Sequence, residues 1–335
     1  MTADGIDIIL ADPDGRDVGV LDDCTLETSY GVADESTNDF VLTCPEGTAI
    51  AAGSLVYVEG GEYGGIVDGA DYDTGDHTVK YRGRSWHGVL AGKVLCPPEG
   101  SSHLELEGDA NACIGSILSL AELDGLYRAA PGESGIQVSY RFARFVDAWR
   151  GLAAMLGSAG AKPRVSFDGK RVTVGAEPVA SIAGEEWDAD TSDVSMSVSW
   201  RPVNHLVCAG EGENQERTVV HLFADEDGNV SQTQTLFGVD ERAELYSYTT
   251  ADKDQLIEDG TKRLLELQEE DACSVVVDSG DYGIGDSAIA NSPATGESIE
   301  SPIVEITATV RNGVASIDYS AGEPSWRGSV GTVTA

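Results

Sequence analysis

The sequence predicts an α+β fold that is mainly β, with two barrel-like β domains bridged by a small α+β domain. Three observations lead to this prediction. Residues 1–104 carry short apolar runs at strand spacing, residues 105–190 carry two helical periodicities and a hairpin, and residues 191–324 return to strand patterns around one helix at 250–268. Residues 325–335 are predicted to form a flexible tail.

The first predicted domain, residues 1–104, contains short segments of strand composition separated by turn residues. The sequence Asp12-Pro13-Asp14-Gly15 predicts a turn between the first two strands. Short strands at this spacing are typical of a barrel or a sandwich. The predicted strands are Ile6–Leu10, Val18–Leu21, Asp39–Thr43, Leu55–Glu59, Gly64–Val67 and Thr78–Arg82.

The second predicted domain, residues 105–190, contains two helices. Asp109 is a candidate N-cap for the first helix, whose apolar positions Cys113, Ile114, Ile117, Leu118 and Ala121 follow a helical period. The second helix has Phe145, Trp149, Leu152 and Leu156 at intervals of three and four residues. Gly157, Gly160 and Pro163 are expected to end it.

Two hairpins are predicted from their turn residues. A two-residue Asp168-Gly169 turn would pair Val165 with Val172 and place Phe167 and Val174 on the same face. The closing hairpin turns at Asn312-Gly313. It is predicted to pair Val310 with Ala315, Ala308 with Ile317 and Ile306 with Tyr319, which gives one apolar face.

The third predicted domain has strand patterns in SDVSMSVSW and HLVCAGEGENQERTVVHLF, followed by a charged helix from about Thr250 to Gln268. One side of this helix is apolar and the other carries ion pairs at a spacing of four residues. The apolar positions are Leu256, Ile257, Leu264 and Leu267, and the pairs are Glu258–Lys262 and Asp259–Arg263.

The chain is strongly acidic, because 58 Asp and Glu residues outweigh 21 Lys and Arg residues and give a formal net charge of −37. DNA is itself a dense line of negative charge, so sequence-specific nucleic-acid binding is not expected. Two interpretations of the acidity remain. It keeps the protein soluble, for example in a salt-loving or high-G+C host, or it provides a surface along which DNA slides without adhering.

The first residues of the sequence bear on the cellular location of the protein, and the spacing of its cysteines bears on their redox state. The opening MTADGIDIILADPDG has no basic segment, and no apolar run approaches the length of a bilayer span, so we predict synthesis in a cytoplasm and no membrane span. The six cysteines show no metal-site spacing and are predicted to be mostly free thiols in or near apolar cores. They are Cys24, Cys44, Cys96, Cys113, Cys208 and Cys273.

Two short motifs have a superficial likeness to serine-hydrolase motifs. Gly285-Asp286-Ser287 has the letters of an esterase GDS box, but no histidine follows His221 in the sequence, so a turn is the favoured interpretation. In GRSWHG, residues 83–88, the spacing of a nucleophile elbow fails and no strand–turn–helix context is expected. His87 is predicted to be a partly buried structural histidine, and no catalytic residue is assigned.

Two acidic segments have oxygens that suit Ca²⁺, residues 71–76 (Asp71-Tyr72-Asp73-Thr74-Gly75-Asp76) and residues 225–229 (Asp225-Glu226-Asp227-Gly228-Asn229). Neither has the glycine and glutamate positions of an EF-hand loop. Both stand between strand-like runs, so hairpin turns are the favoured interpretation. No metal-binding residue, no cofactor-binding residue and no cofactor is predicted.

The order of motifs along the whole chain resembles the tail-hub proteins of siphophages and prophages, also known as minor tail proteins. It is similar in plan to the baseplate hub of contractile-tailed phages. The resemblance rests on DPDGRDVGVLDD, NDFVLTCPEGTAIAAGSLVYVEG, YGGIVDG and VKYRGRSWHGVLAGKVLCP in the first part of the chain. In the last third it rests on NHLVCAGEGENQERTVVHLFADEDGN, LFGVDERAELYSY, YGIGD and IVEITATVRNGVASIDY.

This resemblance implies a baseplate-hub-like protein at the virion tail tip. Three copies would form a homotrimer around the tail axis. Each copy would contribute two barrels to a ring that continues the tail tube. The implied partners are a distal tail or tail tube protein, a tape-measure protein and fibre, receptor-binding or lysin components. DNA would pass through without specific binding.

Two other functions are weighed against the hub. A receptor- or carbohydrate-binding tail protein needs an exposed aromatic groove, for which Trp86, Trp187, Trp200 and Trp326 are candidates, whereas Trp149 is assigned to a helix face. A peptidoglycan or ester hydrolase is disfavoured, because no catalytic set is found and the family's active-site residues have no match in this chain.

Overall fold

A computed structural model of the chain divides it into two compact units. The larger unit comprises Met1–Ser195 and Cys273–Ala335, and the smaller unit comprises Met196–Ala272. The structure describes residues 6–33, 36–73, 75–182, 194–197, 202–212, 216–226, 228–248, 252–268, 272–276, 282–291, 298–322 and 324.

The described residues form strands and four α-helices. The strands of the first half are β1 (Ile9–Ala11), β2 (Asp17–Val20), β3 (Thr25–Gly31), β4 (Asp39–Pro45), β5 (Leu55–Tyr57), β6 (Gly64–Asp73), β7 (Thr78–Ser85), β8 (Glu105–Asp109), β9 (Tyr127–Ala129), β10 (Gln137–Arg141), β11 (Ala161–Phe167), β12 (Val172–Pro178) and β13 (Ser181–Ile182). Those of the second half are β14 (Val194–Ser197), β15 (His205–Ala209), β16 (Val219–Ala224), β17 (Val230–Ser231), β18 (Ala243–Ser247), β19 (Ala272–Val276), β20 (Ser287–Asn291), β21 (Ser298–Arg311) and β22 (Val314–Ala321). The helices are α1 (Trp86–Ala91), α2 (Ala110–Leu120), α3 (Ala148–Gly157) and α4 (Lys253–Gln268).

One large sheet dominates the larger unit and joins the two ends of the chain. Its hydrogen-bonded order is β19-β22-β21-β3-β4-β7-β6-β5-β1-β2, and β20 pairs with β21. The closing hairpin enters this sheet through β21, which runs antiparallel to β3 from the Glu305–Gly31 pair to the Arg311–Thr25 pair. The N-terminal and C-terminal β segments therefore share one backbone ladder.

The core of this sheet follows the side-chain alternation of its strands. In β7 every second residue is buried, and β3 and β4 alternate in the same way. Their buried side chains form one apolar cluster, of which Leu26, Phe40, Leu42, Val56, Val67, Tyr81 and Val310 are members.

Helices α1 to α3 and two small sheets complete the larger unit. The small sheets have the orders β10-β8 and β11-β12-β9. Asp109 and Asp147 cap α2 and α3, since their side chains accept hydrogen bonds from the Asn111 and Arg150 backbone N–H groups. The predicted capping by Asp109 is thus confirmed.

The described residues of the smaller unit form a four-stranded sheet covered on one face by α4. The strand order is β17-β16-β15-β18, and β15 lies antiparallel to β16 and parallel to β18. The buried side chains between sheet and helix are Leu206, Cys208, Val220, Leu222, Ala224, Leu256, Leu264 and Leu267. The predicted apolar side of the helix is confirmed, as is the Glu258–Lys262 pair at 2.9 Å.

Several local predictions are corrected by the structure. Phe145 does not belong to α3; it precedes the helix, has a φ of 62° and is 59% exposed. The Asp168 turn contains four residues, because the Asp168 side chain accepts hydrogen bonds from the Lys170 and Arg171 N–H groups. Val165 consequently pairs with Val174, and Phe167 pairs with Val172. The register is shifted by two residues, so all four side chains still share one buried face.

The predicted domains 1–104, 105–190 and 191–324 stay a prediction, since the structure divides the chain only into two units. Pairing between β21 and β3 places the closing hairpin in the larger unit, which leaves only Met196–Ala272 as a separate unit. The assignment of the two β regions to two barrels of a hub stays a prediction. The predicted tail at 325–335 lies outside the described residues.

Candidate functional site

Two histidines and a glutamate form a hydrogen-bonded chain on the sheet of the smaller unit. His205 Nδ1 lies 2.6 Å from Glu241 Oε1, and His205 Nε2 lies 2.8 Å from His221 Nδ1. The His205 side chain is 11% exposed and that of Glu241 is 30% exposed. We call these three residues the His–Glu cluster.

The strand register explains how the cluster forms. Leu206 and Cys208 of β15 belong to the core under α4, so alternation turns His205 to the opposite, outer face. His205 stands directly across from Phe223 of β16, and His221 is two residues away along the same strand. Long and aromatic side chains reach such diagonal neighbours across antiparallel strands.

Phe223 supports the cluster from one side. Its ring stacks on the His205 ring with centroids 4.4 Å apart and planes 26° apart. The Glu241 carboxylate accepts a hydrogen bond from Nδ1–H of His205, which leaves the lone pair on Nε2. The arrangement therefore presents an oriented imidazole nitrogen to His221.

Two exposed apolar side chains lie on the same outer face of the sheet as the cluster. Val219, in β16, is 48% exposed, and Leu245, in β18, is 64% exposed. This face of the sheet therefore carries the imidazole nitrogens of His205 and His221 together with the exposed apolar side chains Val219 and Leu245.

Sequence reasoning did not find the His–Glu cluster. Among the described residues no group of three or more His, Cys, Asp or Glu side chains has metal-ligand geometry. The usable signal was a histidine in each of two adjacent strand patterns. It becomes informative only once the register of β15 and β16 is known.

The GRSWHG segment lies at a strand-to-helix junction, contrary to the prediction that no such context exists. Ser85 ends β7 and caps α1; its hydroxyl accepts from the Gly88 N–H and donates to the Asn38 carbonyl. Ser85 is fully buried, so both of its hydrogen bonds are structural and the hydroxyl is inaccessible to a substrate. The segment is a helix start, not a nucleophile elbow.

His87 is more deeply buried than predicted. Its ring stacks on Tyr30 at 3.9 Å and meets Trp149 edge-on at 4.6 Å, and its side chain is 1% exposed. Burial lowers the pKa of His87 to about 3, because the charged form would lose its hydration. His87 is a neutral core residue at physiological pH.

The tryptophan candidates for a carbohydrate groove are also changed by the structure. Trp86 is fully buried and stacks on Phe167, so it cannot line an exposed groove. Trp149 is buried on α3 as predicted and donates its indole N–H to the Gly31 carbonyl at 2.7 Å. Trp187, Trp200 and Trp326 lie outside the described residues.

Asp286 of the GDS motif has a structural partner. It is fully buried, forms an ion pair with Lys162, and accepts hydrogen bonds from the Gly283 and Ala180 N–H groups at 2.8 Å each. The neighbouring Ser287 hydroxyl bonds the Glu300 carboxylate. The motif ties the start of β20 to β11 and has no arrangement for nucleophilic catalysis.

The first acidic segment begins inside a strand and not in a turn, because Asp71, Tyr72 and Asp73 belong to β6, whereas the second follows β16 in the turn to β17. Asp71 in β6 pairs with Arg82 in β7 at 2.9 Å. Asp225 follows β16 and accepts from the Asn229 backbone N–H at 2.8 Å, which closes the turn to β17. Thr74 and Asp227 lie outside the described residues.

Two of the cysteines lie close together. Cys24 Sγ and Cys44 Sγ are 2.8 Å apart, and both thiols are buried. The hydrogen bond between them lowers the pKa of Cys24 and raises that of Cys44. Cys113 and Cys208 are also free and buried, whereas Cys96 is free and exposed.

Two solved structures that share the fold of this chain are tail proteins. The tail protein from Neisseria meningitidis MC58 superposes with a TM-score of 0.51 at 12% identity, over 97% of this chain and 99% of that chain. The chain has the fold of phage tail proteins. A second tail-protein structure, the prophage MuSo2 43 kDa tail protein from Shewanella oneidensis, has a TM-score of 0.51 at 13% identity, over 95% of this chain and 98% of that chain.

The tail-protein fold confirms the resemblance found in the sequence and the predicted α+β, mainly β class. No protein-family model matches the chain, and no curated protein matches its sequence. Within the described residues, no helix is both long and apolar enough to span a bilayer.

Proposed function

We propose that this chain is a structural component of a phage or prophage tail. The observation that carries the proposal is the near-complete superposition on the Neisseria meningitidis tail protein, which covers 97% of this chain and 99% of that one. A shared fold does not by itself imply a shared function, so the assignment is an analogy of fold, and its support is that the match covers both chains over almost their whole length. The buried Ser85 and Asp286 support a non-enzymatic role for the motifs in which they lie.

The finer proposal is a tail-tip hub. Three copies would surround the tail axis, continue the tail tube, and bind distal tail, tape-measure and fibre or lysin components. The order of sequence motifs supports this position. The net charge of −37 supports a lumen that repels the phosphate backbone of DNA and lets it pass.

The position in the tail is tested on particles. Tails are purified from the phage or induced prophage that encodes the chain, and an antibody against the recombinant protein is applied with gold label. We expect the label at the tip, next to the end of the tube, and loss of complete tails when the gene is deleted. Absence of the protein from purified tails would overturn the structural proposal itself.

The copy number separates the hub from the main alternative. Quantitative mass spectrometry of intact tails, with the tube protein as internal standard, should give three copies per tail. Label along the fibres together with a fibre-like copy number would favour a receptor-binding protein. A result of that kind would keep the tail assignment and overturn the hub.

A further inference from the structure

Two imidazole nitrogens of the His–Glu cluster lie next to each other on the outer face of the sheet. We propose that His205 and His221 bind one divalent transition-metal ion of the zinc, nickel or copper class, with water or a group from a neighbouring molecule completing the coordination. Neutral imidazole nitrogen is a preferred ligand of these ions. The two nitrogens, His205 Nε2 and His221 Nδ1, already face each other across 2.8 Å.

The distance between the nitrogens requires only a small adjustment. Two zinc–nitrogen bonds of about 2.0–2.1 Å at a tetrahedral angle place the nitrogens about 3.3 Å apart. The distance between the nitrogens must therefore open by about half an ångström, and the His221 ring must also turn sideways so that the lone pairs of His205 Nε2 and His221 Nδ1 converge on the ion. The exposed His221 side chain can supply this by rotation, while β15 and β16 keep their register.

Glu241 provides the support that metal-binding histidines commonly have. A histidine ligand usually donates its second ring N–H to a carboxylate or carbonyl, which fixes its tautomer and orients the ring. Glu241 accepts from His205 Nδ1 at 2.6 Å, so Nε2 is held as the free lone pair. Phe223 stacks on the same ring and limits its rotation.

The protons balance without a change in net protonation. In the metal-free chain His221 donates Nδ1–H to His205 Nε2. On metal binding, the His221 Nδ1 proton leaves to solvent and Nε2 takes up one, so the neutral ring changes tautomer and Nδ1 becomes a ligand. Both ligands remain neutral imidazoles, and a cation is favoured by the overall charge of −37.

His77 gives a matched control. Its Nδ1 lies 2.8 Å from Glu46 Oε2, so it is also a histidine paired with a glutamate, and it is exposed. Among the described residues, no second histidine is hydrogen-bonded to it. If a single His–Glu pair were enough to bind the metal, the two places would behave alike.

The experiment is a calorimetric titration of the full chain with ZnCl₂ and with NiCl₂, carried out in a Cys96→Ser background to remove the exposed thiol. We expect one saturable ion per chain. His221→Ala should weaken binding at least tenfold, Glu241→Gln should weaken it about 10–100-fold, and His77→Ala should leave it unchanged. Circular dichroism and melting curves verify that each variant is folded.

A spectroscopic reading separates ligation from a structural effect. The electron paramagnetic resonance spectrum of bound Cu²⁺ should show coupling to two nitrogens in the Cys96→Ser protein and lose one coupling in His221→Ala. Equal affinities of the parent and His221→Ala, or no saturable binding by the parent, would overturn the proposal. Tail particles that contain the protein in a different position would leave it intact, since it does not depend on the hub.

Discussion

The Lys162 ammonium and the Asp286 carboxylate form an ion pair that is almost completely removed from water, with side-chain exposures of 6% and 0%. Lys162 lies in β11, and Asp286 lies just before β20, 124 residues later. The ion pair therefore joins β11 to the segment that leads into β20.

Asp286→Ala should destabilise the larger unit by about 3–5 kcal/mol, because it leaves the Lys162 charge buried without a partner. It also removes the acceptor for the Gly283 and Ala180 N–H groups. Urea denaturation followed by circular dichroism measures the loss. The matched control is Asp71→Ala, which breaks the exposed pair with Arg82 and should cost less than about 1 kcal/mol.

His87 should make the stability of the protein fall in mild acid. The unfolded chain takes up a proton near the ordinary pKa of 6.5, whereas the folded chain resists protonation down to about 3. Stability is therefore complete above pH 6.5 and decreases as the pH falls from 6.5 towards 3. From about pH 7 to about pH 5, the free energy of unfolding should lose about 2 kcal/mol through this group.

The contribution of His87 is isolated with His87→Phe, which keeps an aromatic ring against Tyr30 and removes the titrating group. The free energy of unfolding of the wild type minus that of the variant should fall by about 2 kcal/mol between about pH 7 and about pH 5. An identical pH dependence in the two proteins would contradict the prediction.

Oxidation should join Cys24 to Cys44. Diamide takes up the two electrons and two protons of the thiols as the S–S bond forms, so the intact mass falls by about 2 Da and two free thiols are lost. The residues are 20 positions apart, and a loop of this size predicts a stabilisation of about 3 kcal/mol. Cys24→Ser should lose both effects, whereas Cys113→Ser should keep them.

Gly83 should be intolerant of any side chain. A Cβ at this position would lie 1.9 Å from the Ile66 carbonyl oxygen, since β6 and β7 approach closely there. Gly83→Ala is expected to cost at least about 2 kcal/mol, seen as a lowered melting temperature or a loss of soluble protein. Gly69→Ala in the same strand pair meets no atom within 4 Å, and it should change stability by less than about 1 kcal/mol.

Local patterns were sufficient for the elements whose partners are near in sequence. The register of the Asn312-Gly313 hairpin is confirmed in full, because a two-residue turn determines which residues face each other. The partner of that hairpin was not predicted. Pairing of β21 with β3 joins segments about 280 residues apart, and β3 itself was missed in TLETSYG.

Other misses have equally local causes. Helix α1 spans only six residues, too few to show a helical period, so its start at Ser85 was not recognised. The His–Glu cluster depends on a diagonal contact between two adjacent strands. The histidines that make this contact, His205 and His221, are 16 positions apart in the sequence. Such a contact is set by the register, which an amino-acid sequence specifies only through the complete fold.

The pairing of β21 with β3 also means that β3 must wait for its partner strand while the rest of the chain is synthesised. At about 5–20 residues per second, β3 leaves the ribosome roughly 15–55 seconds before β21 can reach it. During that interval the edge of β3 that will receive β21 has no partner from the chain, whereas the contiguous unit Met196–Ala272 can finish folding. An open edge is a template for mispairing with other nascent chains. Slow translation, or many ribosomes on one message, should therefore lower the yield of folded protein through mispairing at β3.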